Sequence, residues 1–312
     1  MNPKVSIFVS SWNSKNHLKD CLDSIFQNSY KNFEIIIVDN GSSDGSVEFI
    51  KSFKGKVSAI FNKRNLGLIK ATNQGVSVAK GEFILFLGQD NIIDKDMIIN
   101  LLELFNKDKK IGIISPKIFY LQDPKRFWFY GAKINFFTSK FHFFNKDILD
   151  EENKIDYDFQ VQSVHNCFIV KKEVFDKVGC FDEAFFSDYS EFDLCMRASE
   201  FYKTFISGKA VCYNDASVLS IQKKVINHYG FTSKRRVYHL TRERAVVIKR
   251  YANKLQKIIF ILLFYPLSFL YRGFILLKFR KINYLGAHLR GTLAGLNFFL
   301  FYKLNEMKNE DA

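Results

Sequence analysis

Acidic side chains in this sequence stand where apolar runs stop. Asp39 closes the run Phe33-Glu-Ile-Ile-Ile-Val38, and Asp90 follows Glu82–Leu87 in Gly88-Gln89-Asp90. A third group, Asp188, Glu191 and Asp193, lies within Asp188–Arg197. An ionised carboxylate only accepts hydrogen bonds, offers hard oxygen to a divalent cation, and takes up protons. Spacing sorts the third group. On a helix Glu191 and Asp193 diverge by about 200°, so they cannot serve one ligand together. Arg197 stands four residues after Asp193, at ion-pair spacing. That makes Asp193 structural and leaves Glu191 for chemistry, with Asp188 the second choice.

The elements that must hold these residues are legible from periodicity. Val5–Val9, Phe33–Val38, Val57–Phe61 and Glu82–Leu87 are short β-branched or aromatic runs, expected as strands, the first two of them buried. Leu18, Cys21, Leu22, Ile25 and Phe26 recur at helical spacing. Further helices are expected after the turn Asp39–Gly45, with Ser43 or Asp44 as cap, and near Ile69–Ala79. Such alternation predicts an α/β fold with a doubly wound, mostly parallel sheet, whose ligands gather at the carboxyl ends of the strands. Residues 100–160 allow one strand at Ile111–Ser115, and the aromatic-rich stretch Phe127–Phe144 yields no topology. A strand at Phe168–Val170 and a helix at Glu191–Phe201 follow.

Charge divides the chain. Residues 1–221 carry 28 basic and 28 acidic residues, whereas 222–312 carry 18 basic and 4 acidic, so the net +14 sits in the last 91 residues. Such asymmetry points to an anionic surface as partner. The five cysteines form no CxxC pair, which suggests small buried hydrophobes in a reducing compartment. No basic segment precedes a long apolar run near residue 1, so the cytosol is expected.

Five stretches in order resemble family 2 glycosyltransferases of the GT-A fold, near the bacterial rhamnosyltransferase-like branch. They are Val9-Ser-Ser-Trp-Asn13, Ile37-Val-Asp-Asn-Gly-Ser-Ser-Asp44, Asn65-Leu-Gly67 with Asn73, Leu87-Gly-Gln-Asp90, and Phe181-Asp-Glu with Asp188–Arg197. The resemblance covers about residues 4–250. It implies a GT-A core over 1–221, with a nucleotide-sugar half at about 1–100 and an acceptor half at about 101–221. A basic, apolar helical extension over 222–312 would complete the active site near residue 228. It also implies inverting, non-processive transfer of one sugar from a dTDP- or UDP-sugar to a glycan, in cell-surface polysaccharide synthesis.

Residue roles follow by the same resemblance. Trp12 would lie against the pyrimidine and Asp39 would accept its imide N–H. Ser10, Asn13, Asn65, Gly67, Asn73 and Gln89 would line the nucleotide-sugar site. Many relatives carry Asp-x-Asp where this chain has Gly88-Gln89-Asp90, so Asp90 remains as a ligand for Mg2+ or Mn2+. His228, in Asn227-His-Tyr-Gly230, would be the second ligand. Glu191 would be the base, one methylene longer than the aspartate commonly found there. His165 could line the acceptor site.

The extension reads as membrane-directed. Residues 223–257 hold eleven basic residues and one acid. Fourteen uncharged residues, Ile258–Tyr271, follow, interrupted by Pro266 and short of a spanning length. With lysines and arginines on both sides, this suits a helix lying in an anionic membrane surface. A helical hairpin buried on the core, a true span and a protein interface remain open. Basic residues beside Phe/Leu blocks argue against nucleic acid. A polyprenyl-diphosphate-linked acceptor would fit a peripheral enzyme on the cytoplasmic face of the cell membrane. A processive synthase is disfavoured, because Trp128 is preceded by Arg126-Phe127 and not by the Gln-x-x-Arg of that motif. The alternatives are a nucleotidyltransferase of similar fold, or a degenerate scaffold without chemistry.

Overall fold

The computed structural model describes residues 4–150, 155–186, 189–216 and 232–302. The chain divides into two compact units. The first comprises residues 1–133 and 143–218, and the second 134–142 and 219–312.

The first unit is built on one mixed, mostly parallel sheet. β1 (Val5–Ser11), β2 (Phe33–Asp39), β3 (Ser58–Phe61) and β4 (Phe83–Leu87) are parallel neighbours in the order β4-β1-β2-β3. They alternate with helices α1 (Lys15–Gln27), α2 (Ser46–Lys51) and α3 (Leu68–Val78), as the periodicity requires. Val5, Ile7 and Val9 of β1 are fully buried, as are Leu18, Cys21, Leu22 and Ile25 on one face of α1. Neither Ser43 nor Asp44 caps α2. Gly45 holds that position with a left-handed φ of 88°, and Asp44 instead accepts from the Ser46 amide and hydroxyl.

Beyond residue 90 come β5 (Asn91–Ile93), α4 (Met97–Lys107), β6 (Ile111–Tyr120) and β7 (Asp123–Phe129). They are followed by a two-stranded pair, β8 (Ala132–Asn135) and β9 (Lys140–Phe143). The strand expected at Ile111–Ser115 is present as the longer β6, and the rest of residues 100–160, given no topology from sequence, holds the end of α4 and short strands. After β10 (Phe159–Gln160), β11 (Phe168–Lys171) inserts antiparallel between β4 and β6. α5 (Lys172–Val178) and α6 (Ser190–Ala198) lead to β12 (Lys203–Asn214), parallel to β6.

The second unit is helical. α7 (Lys234–Tyr251) starts at Ser233, whose hydroxyl accepts the Arg236 amide. α8 (Lys254–Ile259) opens with a capping box between Asn253 and Gln256. A π-helical turn at Phe260–Phe264 leads into α9 (Tyr265–Lys278), and α10 (Leu285–Phe301) follows. Pro266 does not cut this run, contrary to the reading from sequence. It falls in the first turn of α9, where the wider π-turn before it absorbs the missing donor. Lys254–Lys278 is thus one 25-residue helical segment, long and apolar enough to cross a membrane by length and composition. α10 meets α7 closely at two glycines. A Cβ on Gly291 would lie 2.4 Å from the Tyr238 carbonyl oxygen, and one on Gly295 would lie 3.1 Å from the Ala245 Cβ and 2.2 Å from the Tyr265 hydroxyl of α9. Within the same unit the buried Arg244 guanidinium donates to the Ser139 hydroxyl, the Thr138 carbonyl and the Ser268 hydroxyl.

Candidate active site

The carboxyl ends of β1 and β2 are sewn together by short polar side chains. Asp39, 1% exposed, accepts the Ser42 amide at 2.9 Å, the Ser42 hydroxyl at 2.6 Å and the Ser11 hydroxyl at 3.2 Å. Asn13 adopts a left-handed φ of 48° and accepts the Ser43 amide at 2.8 Å. Asp44 accepts the Lys15 amide at 3.0 Å. Partial burial pushes the Asp44 carboxyl up, but hydrogen bonds from Ser46 and Lys15 outweigh it and hold the group below the usual carboxylate range. Trp12 leaves this clamp with half its surface exposed. Its amide donates to Gln89 Oε1 at 2.9 Å, tying the end of β1 to the loop after β4.

Asn40, which the sequence reading left without a role, organises the neighbouring loop. Its amide donates to Asn65 Oδ1 and the Gly67 carbonyl, and its Oδ1 accepts from the Leu66 amide. Asn65 in turn accepts the Gly67 amide, and Gly67, at φ 97°, starts α3. Asn73 is directed elsewhere. Its side-chain amide exchanges two hydrogen bonds with the backbone of Phe181, at 2.9 and 3.1 Å. Its placement therefore fixes the segment leading toward α6, and both ends of its amide are occupied by backbone.

At the end of β4 the chain turns through Gly88, whose amide donates to the Asn166 carbonyl. A Cβ on Gly88 would stand 2.2 Å from Asn166 Oδ1 and 2.6 Å from Asp90 Oδ1. Two side-chain oxygens thus converge on the space that a side chain at 88 would fill. Asn166, at φ 65°, donates to Asn91 Oδ1, which also accepts from Asn214. The Asp90 carbonyl accepts the Asp215 amide at 2.8 Å. Asp90 shares a small notch with His17, Asp20, Ile92 and Asp215, and His17 Nδ1 is 3.2 Å from Asp215 Oδ2. Among the described residues no cluster of three or more His, Cys, Asp or Glu side chains could hold a metal by itself. One carboxylate nevertheless suits a small hard cation that takes its other oxygens from phosphates and water. The oxygen-lined space beside Gly88 is compatible with that demand.

Because β11 runs antiparallel to β4, the residues just before it lie at the same edge as Gly88. His165 is one of them. Its ring stacks on Trp128 at 5.7 Å, with an interplanar angle of 15°. Its Nδ1 lies 3.3 Å from Oε1 of Glu191, in the first turn of α6. Glu191 is 8% exposed, and its other oxygen accepts the Ser190 hydroxyl at 2.9 Å. Asp193 faces away, fully buried, and pairs with Arg197 Nε at 2.8 Å. Arg197 also donates to the carbonyls of Val178, Gly179 and Cys180. The thiols beneath this edge are inert. Burial pushes Cys195 up to about 12 and likewise raises Cys21 and Cys212. Asp188 and His228 lie outside the described residues. The edge thus brings Trp12, Asn13, Asp39, Asn65, Gly67, Gln89, Asp90 and Glu191 onto strand-end and helix-start positions, Ser10 lies within β1 beside Val38, and Asn73 is turned to Phe181.

Residues 6–179, more than half of the chain, match the model of glycosyl transferase family 2. The chain belongs to that family. It is 28% identical over 218 residues to the glycosyltransferase GlyG of Streptococcus pneumoniae serotype 4, covering 69% of each chain. Solved structures share the fold. GalNAc-T7 with UDP, GalNAc and Mn2+ superposes with a TM-score of 0.59 at 14% identity, over 82% of this chain and 53% of that one. TarS 1–349 of S. aureus with UDP-GlcNAc gives 0.55 at 16% identity, over 97% of this chain and 77% of that one. The chain thus spans about half of GalNAc-T7. The sheet is that of a GT-A glycosyltransferase. Asn166 was not assigned by sequence reasoning, and His165 was named only as a residue that could line the acceptor site, not as a partner of Glu191. Both stand directly before a strand whose antiparallel insertion no local pattern announces.

Proposed function

We propose that this family 2 enzyme transfers a single sugar from a UDP- or dTDP-sugar to a glycan hydroxyl, without processive repetition and with inversion at the anomeric carbon. One observation carries the reading: the largely buried Glu191 carboxylate of α6 accepts from Ser190 and lies 3.3 Å from His165, the residue before Asn166, whose carbonyl accepts the Gly88 amide. In this reading Glu191 accepts the acceptor's hydroxyl proton as that oxygen bonds to the anomeric carbon. The bond from that carbon to the diphosphate breaks, and the nucleoside diphosphate leaves. Direct displacement at one face needs no carboxylate nucleophile and inverts the centre, unlike the two-step retaining route. Trp12 offers the base a face to stack on. Asp39 would meet the imide N–H with the lone pairs left by Ser42 and Ser11. Asp90 would hold Mg2+ or Mn2+, and the bound cation would offset charge on the departing diphosphate.

The acceptor proposed is a polyprenyl-diphosphate-linked saccharide of a cell-surface polysaccharide, glycosylated at the cytoplasmic side of the membrane. The basic, apolar composition of residues 222–312 supports it. A panel of nucleotide sugars should reveal one whose free nucleoside diphosphate is released with an acceptor extract and whose release stops in EDTA. Release of pyrophosphate would instead mark a nucleotidyltransferase. No turnover with any donor in the presence of acceptor would mark a scaffold.

A further inference from the structure

Helices of a water-soluble unit turn their apolar side inward. The segment Lys254–Lys278 also keeps an apolar side turned out. Ile258, Leu262, Leu267, Leu270, Phe274 and Leu277 are each about half exposed or more, and from 258 to 277 every fully outward side chain is uncharged. At 1.5 Å per residue that strip is about 30 Å long. α10 adds Leu289, Leu293, Leu300 and Phe301, all exposed. An apolar area of this extent marks an interaction site.

The charge around the strip identifies what covers it. Lys254 and Lys257 stand at one end, and Lys278, Arg280 and Lys281 at the other. Among residues 232–302 the sole acid is Glu243, which is fully buried. A protein groove would be expected to supply mixed charge, whereas basic ends flanking a purely apolar strip match phosphate headgroups over acyl chains.

The inner face then decides the orientation. Phe260 and Tyr265 pack against Ala245, Ile248 and Ala252 of α7. Ile275 and Leu276 pack against Val237 at its other end. The segment thus shares buried apolar clusters with α7 at two places, near Tyr265 and near Leu276. α7 carries Lys234, Arg235, Arg236, Arg242, Arg244, Lys249 and Arg250. Driving the segment across a bilayer would drag these charges into hydrocarbon, where each is costly. Lying flat keeps α7 out of the hydrocarbon and buries only the strip.

We propose that the outer face of Lys254–Lys278, with that of α10, docks onto an anionic lipid leaflet and lies in its plane without crossing it. This deepens the membrane-side reading of the acceptor but rests on the second unit alone, independent of the sugar chemistry.

The test uses the full chain, vesicles of phosphatidylcholine with or without about 30% phosphatidylglycerol, and lipids brominated at shallow or deep acyl positions. The chain should float with anionic vesicles and much less with neutral ones. In the L267W variant, the added tryptophan emission should be quenched more by shallow than by deep bromines, because residue 267 lies near the middle of the strip. Changing Leu262, Leu267 and Leu270 to Gln should lower partitioning about tenfold or more while helicity by circular dichroism persists. E191Q should float like the parent protein, which separates failure of docking from failure of the transfer reading. Stronger quenching by deep bromines would establish a span and overturn the proposal. Equal flotation with neutral vesicles would remove the anionic partner. Unchanged flotation of the triple variant, together with its conversion from oligomer to monomer in light scattering, would assign the strip to a second copy of the chain.

Discussion

Gly88 offers the sharpest test of the turn after β4. The resemblance to Asp-x-Asp enzymes implies that an aspartate at 88 would add a second carboxylate and strengthen a metal site beside Asp90. The geometry says the opposite. An alanine Cβ at 88 would meet Asn166 Oδ1 at 2.2 Å and Asp90 Oδ1 at 2.6 Å, whereas real Cβ contacts essentially never fall below 3.0 Å. Asn166 must then retreat by at least 0.8 Å (3.0 − 2.2) and Asp90 by 0.4 Å (3.0 − 2.6). Asn166 has little freedom, since its carbonyl accepts the Gly88 amide and its side chain donates to Asn91. Overpacking of this kind costs about 1–3 kcal/mol, and loss of the Asn166–Asn91 bond adds about 1 kcal/mol. For a domain of this size the total corresponds to a Tm lower by roughly 4–16 °C. The displaced Asp90 should weaken metal-dependent donor binding by about 10–100-fold, as expected when a ligand loses its support. Gly88→Ala and Gly88→Asp can be compared by thermal unfolding and by donor titration at several Mg2+ and Mn2+ concentrations. A Gly88→Asp protein that melts like the parent and binds metal and donor more tightly would refute the steric argument and restore a two-carboxylate site.

Glu191→Gln keeps the shape and the Ser190 contact but removes the proton acceptor; kcat should fall about 100-fold or more with KM for the donor little changed, and parallel loss in both would move the base elsewhere. Arg197→Ala strands the fully buried Asp193 and three carbonyls of residues 178–180, so stability in urea should drop by about 3–5 kcal/mol. A loss under about 1 kcal/mol would show that the pair is dispensable. In the native protein at pH 8 a maleimide should label exposed Cys180 first and leave Cys21, Cys195 and Cys212 unmodified, because burial both shields them and raises their pKa values; rapid native-state labelling of Cys21 would contradict its full burial on α1.

Much of the site was legible because it depends on local pattern. Each buried run ends at the residue where polar chemistry begins, so Asp39 and Gly88–Asp90 could be placed at strand ends from periodicity alone. The i,i+4 relation of Asp193 and Arg197 is likewise local, and the 2.8 Å pair forms as the spacing requires. Asn73 shows where local pattern runs out. An asparagine on a helix near a site has an amide that suits a sugar or a backbone equally well, and here it binds the backbone of Phe181.

The sequence by itself determined the alternation of strand and helix, the carboxyl edge as the place of chemistry, and the concentration of positive charge after residue 221. Those properties follow from side-chain period and composition, which neighbouring residues set among themselves. Only the tertiary structure decided that His165 would meet Glu191, that Asn166 would crowd Gly88, and that the Leu262–Leu277 side of an apolar helix would face outward. Each of these depends on strand order or helix packing, in which distant segments compete to bury apolar surface, and that competition leaves no mark at the residues it brings together.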